Sequence, residues 1–333
     1  MRLKAVFPVV VLLFTAAGIL FAAPGLRWST SLDTIVSTGD TRYLMEEPAG
    51  GFSSELIFPL NTLMAGVTIR RDLSGARPGS YLEAQVSTNL LAPFGKMVDY
   101  DWWMYPGYPK VPWSYTESDA RLFGVSAALY WKPVLANHSW GNFGASFGYR
   151  FKYYYQEAIG FNGWQYADVY IDAVTDAEDG WYTMAVGVDD PRLGITYWVM
   201  YNFPTAGLSL TLKPQAGFSL HGEAGLAVAY ASDEDDHVLR NKLSTASGLG
   251  FGGYLDLSVR FTWGNPNARL HPFIALSANA LALKANVLQK QTWYGDDPVS
   301  TSVIEKPGDS ITGLDHQIST RQFGVALTGG IEF

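Results

Sequence analysis

The chain contains no cysteine, which excludes a disulfide framework, a thiolate metal site and a thiol nucleophile. Charge is scarce too: 16% of the 333 residues are Asp, Glu, Lys or Arg, against 48% in the hydrophobic set, the reverse of a disordered polyelectrolyte. Basic residues are the scarcer sign, 23 against 31 acidic for a net charge of -8, so the basic surface of a generic nucleic-acid binder is missing. An acidic face suits cationic partners instead. Beyond residue 25 there is no second long apolar run, and a bundle of membrane helices is excluded with it. What is abundant is aromatic residues and glycine: 19 Tyr, 18 Phe, 11 Trp and 34 Gly.

The one long apolar run is at the start. Arg2 and Lys4 precede an uncharged stretch from Ala5 to Ala23, and Pro24-Gly25 follows. A basic segment, an apolar segment and small residues before a break read as a secretory signal peptide over 1–23, in preference to a retained anchor. No cysteine follows for lipid attachment. Without Arg2 and Lys4, 21 basic residues face 31 acidic ones, and the mature chain, 24–333, stands at -10.

The mature chain alternates with a period of two. From Leu249 to Trp263 the odd positions are apolar or Gly, while Asp256, Ser258, Arg260 and Thr262 occupy even ones. Phe218, Leu220, Leu226, Val228 and Tyr230 oppose Ser219, His221 and Glu223 in the same way, and the chain closes on Phe323, Val325, Leu327, Ile331 and Phe333 alternating with polar residues. Ten such strands are expected, near 26–38, 54–70, 79–92, 119–132, 141–156, 192–213, 216–232, 243–263, 270–287 and 318–333. Tight turns such as Lys213-Pro214-Gln215 alternate with long polar connections near 39–53, 93–118, 157–191, 233–242 and 288–317. A soluble sandwich also alternates, but its strands are shorter and its connections lack this long-short rhythm. The expected fold is all-β: a ten-stranded antiparallel transmembrane β-barrel with long extracellular loops, in the outer membrane of a diderm bacterium, with both termini in the periplasm.

Two of the expected loops concentrate acids. If strand geometry persists, Asp99 and Asp101 share a face with Cα atoms about 6.6 Å apart, too close for both to ionise freely. Asp233, Asp235 and His237 share the odd parity of Ser219, His221 and Glu223 and point into the barrel mouth; a carboxylate two residues from an imidazole can fix its tautomer and raise its basicity. Each element alone is more often a solvated loop or a weak cation site.

Met97-Val98-Asp99-Tyr100-Asp101-Trp102 and Asp233-Glu234-Asp235-Asp236-His237 resemble the two signature segments of the omptins, outer-membrane proteases built as ten-stranded barrels. Arg42-Tyr43-Leu44-Met45-Glu46-Glu47, Gly148-Tyr149 and the terminal aromatic add weaker support. The resemblance implies an endopeptidase cutting peptides or proteins at Arg or Lys, with its active site facing the extracellular side. Asp99 and Asp101 would form one side of the groove, Asp235 would orient His237 on the other, and a water between them would attack the carbonyl. No nucleophilic Ser or Cys is needed, and no metal or cofactor is expected. Asp233, Asp40 and Met97 would bind substrate, although the even number of Asp40 breaks the lumen parity of its strand and requires a bulge.

The match departs in two places. Trp102-Trp103-Met104 stands where one Trp is usual. The family typically requires lipopolysaccharide, bound by a Tyr, a Glu and an Arg spaced two apart on the fifth strand; here those positions are Tyr149, Phe151 and Tyr153, an expected outward aromatic stripe, so dependence on that lipid should be weak or absent. His138, His221, His271 and His316 match no catalytic position. The expected partners are basic peptides and outer-membrane lipids, with no nucleic acid, on a monomer. A catalytically silent adhesin or receptor is the competing class; a pore is the weakest, because ten strands leave a lumen that side chains largely fill.

Overall fold

A computed structural model describes residues 27–47, 51–73, 79–104, 110–167, 182–264, 269–298 and 305–333, with the backbone alone for 166, 167 and 182–190. The expected leader, 1–23, lies outside the described residues. Thirteen strand segments account for nearly all the described chain: β1 (Trp28–Glu46), β2 (Gly51–Pro59), β3 (Thr62–Asp72), β4 (Tyr81–Asn89), β5 (Lys96–Met104), β6 (Val111–Lys132), β7 (Val134–His138), β8 (Gly141–Ala167), β9 (Tyr182–Gln215), β10 (Phe218–His237), β11 (Lys242–Thr262), β12 (His271–Trp293) and β13 (Ser310–Glu332).

Antiparallel pairing closes them into a ring of ten, β1–β3–β4–β6–β8–β9–β10–β11–β12–β13 and back to β1, as the parity pattern requires. β2 and β5 continue β3 and β4 toward the rim opposite the termini, where β2 pairs with β1 and β5, and β5 with β6. The two interruptions are stitched together: Thr38 Oγ1 and Gly39 N donate to Asn61 Oδ1, and Phe94 N donates to Asn61 O. Gly39 is the residue that permits this, since a Cβ there would lie 2.0 Å from Arg321 O. The stitch fixes the level from which β5 starts, and β5 carries the first acid pair.

The alternation sorts the two faces of the wall. Leu226, Leu249, Phe251, Leu276 and Leu327 point outward and are 54–75% exposed, the apolar band a bilayer requires. Above it the outward residues turn polar: Asp40 and Arg42 on β1, Glu234 and Asp236 on β10, Lys284 and Lys290 on β12, Arg321 on β13. Here the expected boundaries need correcting. Most of the expected long loops are strand: β1 runs to Glu46, β10 to His237, β12 to Trp293, and the connection after β10 is the single turn 238–241. The hydrophobic signal of the outward face stops at the edge of the bilayer, because the outward residues turn polar above it, while backbone pairing continues.

Inside, Phe58, Leu56, Tyr197, Tyr201, Phe203 and Ile318 are essentially inaccessible and fill the barrel below the far rim. Nearer the termini the lumen is wetter and charged. Lys132 bridges Glu83 and Glu223 at 3.3 and 3.0 Å, Arg150 meets Asp256 at 2.9 Å, and Arg260 meets Glu332 at 2.7 Å.

Candidate active site

The apolar plug lies beneath the far rim, and the two acid-bearing strands stand four places apart in the ring of ten, near enough for Asp99 and Asp101 to feel the charges of Asp235 and His237 across the space between them, the groove. On β5 the odd residues face inward, so Met97, Asp99, Asp101 and Trp103 form a column. Met97 is only 1% exposed and packs into the plug. Asp101 Oδ2 accepts a hydrogen bond of 2.6 Å from Ser114 Oγ of β6, and Ser54 of β2 faces it from the other neighbouring strand. Asp99 Oδ1 is shielded from solvent and has no hydrogen-bond partner. Burial, then the Asp101 charge, then Asp235 push the Asp99 carboxyl well above the ordinary carboxylate range. Burial also raises Asp101, against the opposing pull of Ser114, Ser54 and His237. Both carboxyls are thereby shifted toward their protonated forms relative to solvated acids.

The opposite wall is the end of β10. Asp233, Asp235 and His237 are consecutive inward residues, paired with Ala246, Ser244 and Lys242 of β11. His237 Nε2 lies 2.8 Å from Asp235 Oδ2, and the Asp235 side chain is fully buried while His237 keeps 16% exposure. The approach is close but poorly aligned as a hydrogen bond, and both Asp235 oxygens lack a well-directed donor. With Nε2 turned to the carboxylate, Nδ1 is the nitrogen left basic. The turn carrying His237 is clasped from outside: Arg240 Nη2 donates to Asp297 Oδ2 at 2.8 Å, Asn241 Nδ2 donates to Asp296 O at 2.8 Å, and Tyr294 OH donates to Asp236 Oδ1 at 2.9 Å.

The two residues expected to hold a substrate cation are placed differently. β1 pairs with β13 without a bulge from Ser29 to Glu46, so Asp40 stays on the outer wall, where Arg42 Nε donates to it at 2.8 Å. Asp233 lies on the inner face but below the groove, 2% exposed; His316 Nε2 is 2.8 Å from its Oδ2 and Tyr197 OH donates to the same oxygen at 3.2 Å. His316 Nδ1 in turn faces Leu44 O at 2.8 Å, and its ring lies 4.4 Å from that of Tyr43. The acid and base next below the groove are thus bonded to each other.

Sequence reasoning missed His316, Lys242 and the Arg240–Asp297 clasp. His316 and Lys242 become visible to parity only once β13 and β11 are extended beyond the bilayer; the clasp joins two connections with no periodic signal at all. Of the other histidines, His221 lies in the lumen with Nδ1 2.9 Å from Thr211 Oγ1, and His138 stacks on Trp140 at the barrel's other end. The expected aromatic stripe on β8 is interrupted. Tyr149 is 42% exposed, but Phe151 is only 1% exposed. Lys152 points inward as expected and donates to Gln322 Oε1 at 2.9 Å.

No protein-family model matches the sequence, and no curated protein matches it. The fold is similar to solved structures. The outer membrane protease OmpT from Escherichia coli superposes with a TM-score of 0.65 at 17% identity, over 94% of this chain and 99% of that one. The translocator domain of the autotransporter NalP from Neisseria meningitidis gives 0.31 at 9% identity, over 98% and 95% of the two chains. The likeness to OmpT extends the agreement from strand count to overall shape: this is an omptin-like barrel fold.

Proposed function

We propose that the protein is an outer-membrane endopeptidase that cleaves peptide bonds by direct attack of water, with its groove on the extracellular side. The observation that carries this reading is that a partly buried acid pair, Asp99 and Asp101, with its proton affinity raised by burial, stands within electrostatic reach of a buried Asp235 set against His237. The similarity of the fold to a protease supports it.

A water between the walls is held by a carboxylate oxygen of the Asp99–Asp101 pair. As its oxygen bonds to the scissile carbonyl carbon, its proton passes to His237 Nδ1, and the adjacent Asp235 charge stabilises the imidazolium. A proton on the acid pair faces the carbonyl oxygen, where negative charge develops. Collapse of the tetrahedral intermediate breaks the C–N bond, and the imidazolium returns its proton to the departing amine. No acyl-enzyme forms.

The test is to incubate protein refolded in detergent with a pool of fluorogenic peptides and to identify the fragments by mass spectrometry. Two complementary fragments from one cut, without trapping by serine-directed acylating reagents, are expected. Intact peptides with a correctly folded barrel would favour the adhesin reading.

A further inference from the structure

Lys242 is a charged side chain at the groove with no role in the chemistry above. It opens β11 directly opposite His237, and Lys242, Ser244 and Ala246 form the inward column of that strand. Cross-strand neighbours on one face stand with Cβ atoms about 4.5–5.5 Å apart, so the lysine stem rises beside the imidazole, diagonal to Asp235. It is 7% exposed, and among the described residues no carboxylate lies within ion-pair distance of it. Asp235, Asp101 and Asp99 all act on its charge from around the groove, while burial and Arg240 lower its proton affinity. The ammonium therefore stands among the three catalytic carboxylates without being claimed by any one of them.

Meanwhile, among the described residues, the two acids expected to receive a cationic substrate side chain are both engaged. Asp40 is outside and bound to Arg42; Asp233 is below and bound to His316 and Tyr197. The opposite wall offers a different surface. Trp103 follows Asp101 on the inward column of β5, with Phe52 6.0 Å and Trp113 5.2 Å away, both edge to face. This is an apolar corner about 6.6 Å along the strand from the acid pair.

We infer that Lys242 is a specificity-determining residue: its ammonium occupies the place of a substrate cation, and the groove takes peptides with an uncharged aromatic side chain, seated on Phe52, Trp103 and Trp113, next to the scissile bond. This rests on the endopeptidase reading. A basic side chain would be repelled by Lys242 and would find Asp40 and Asp233 already engaged, whereas an aromatic one gains ring contacts at the corner.

Binding separates this from the question of turnover. In the His237→Gln background, which lacks the base, two fluorescent peptides identical except for a central Phe or Lys are titrated by anisotropy. The Phe peptide should bind about tenfold more tightly, and adding Lys242→Met should cancel or reverse the ratio by strengthening the Lys peptide alone. Trp113→Ala, read in parallel, should weaken only the Phe peptide, and serves if the Lys242 variant does not refold. Equal or tighter binding of the Lys peptide with Lys242 in place, an unchanged ratio in Lys242→Met, or binding of neither peptide overturns the inference. A protein with intact His237 that shows the preference but cuts neither peptide keeps the inference and loses the endopeptidase reading.

Discussion

At the scale of single residues, the groove is a set of ionisable groups held where water would not leave them. Asp99 illustrates the cost. Its raised proton affinity means that the folded barrel binds a proton more tightly than the unfolded chain, so its contribution to stability falls as pH rises from the ordinary carboxylate range through its own higher value. Asp99→Asn removes that titration. We expect the variant to unfold at a higher temperature than the wild type at neutral pH, with the gap closing in acid, followed as the loss of heat-modifiable gel mobility; a gap independent of pH would show that Asp99 is ionised. His316 is the opposite case. Its side chain and that of Asp233 are almost wholly buried against each other, so His316→Ala strands a buried carboxylate and should cost about 3–5 kcal/mol of stability. Denaturant unfolding in detergent measures it. The spacing of Asp99, Asp101, Asp235 and His237 made their common orientation legible in the sequence, because parity survives wherever a strand does. The placing of Asp40 on the outer wall was legible by the same rule: its even number was correct, and no bulge intervenes.

At the scale of elements, the strands outrun their own hydrophobic signal. β10 keeps its inward column through Asp233, Asp235 and His237, yet its outward residues become Ser232, Glu234 and Asp236, and alternation of apolar with polar ceases at Tyr230. Sequence periodicity therefore measures the bilayer rather than the strand. What it could not reveal is how the rims are tied. The turn 238–241 is fixed by contacts from 294–297, and Asp297, with its side chain fully buried, accepts from both Arg240 and Trp293. Asp297→Ala leaves Arg240 unpaired but partly solvated, so a loss of about 1–3 kcal/mol is expected rather than unfolding. Its effect on catalysis should be a fall in kcat at unchanged peptide affinity, because His237 rather than the binding surface is loosened; a change in affinity alone would place the clasp in substrate binding.

At the scale of the molecule, stability and chemistry occupy different levels of one closed sheet. The ring of ten strands leaves no open edge, the outward band meets lipid, and the aromatic plug separates the groove from the charged lumen nearer the termini. Closure, strand order and the sense of each face follow from the two-residue period; the plug does not, because its contacts join strands distant in the ring, as where Phe58 of β2 stacks on Tyr197 of β9 with ring centroids 4.4 Å apart. A charge in the band should be costly while leaving the groove intact. Leu257→Arg, outward and 48% exposed, should lose about 2–4 kcal/mol if it lies near the midplane. The most direct measurement of the central claim compares wild type, His237→Ala and Asp99→Ala for peptide cleavage, each first shown to be folded by heat-modifiable mobility. The account predicts that each variant folds and loses about 10²–10⁴-fold in kcat/KM. Cleavage at the wild-type rate by folded His237→Ala would contradict it.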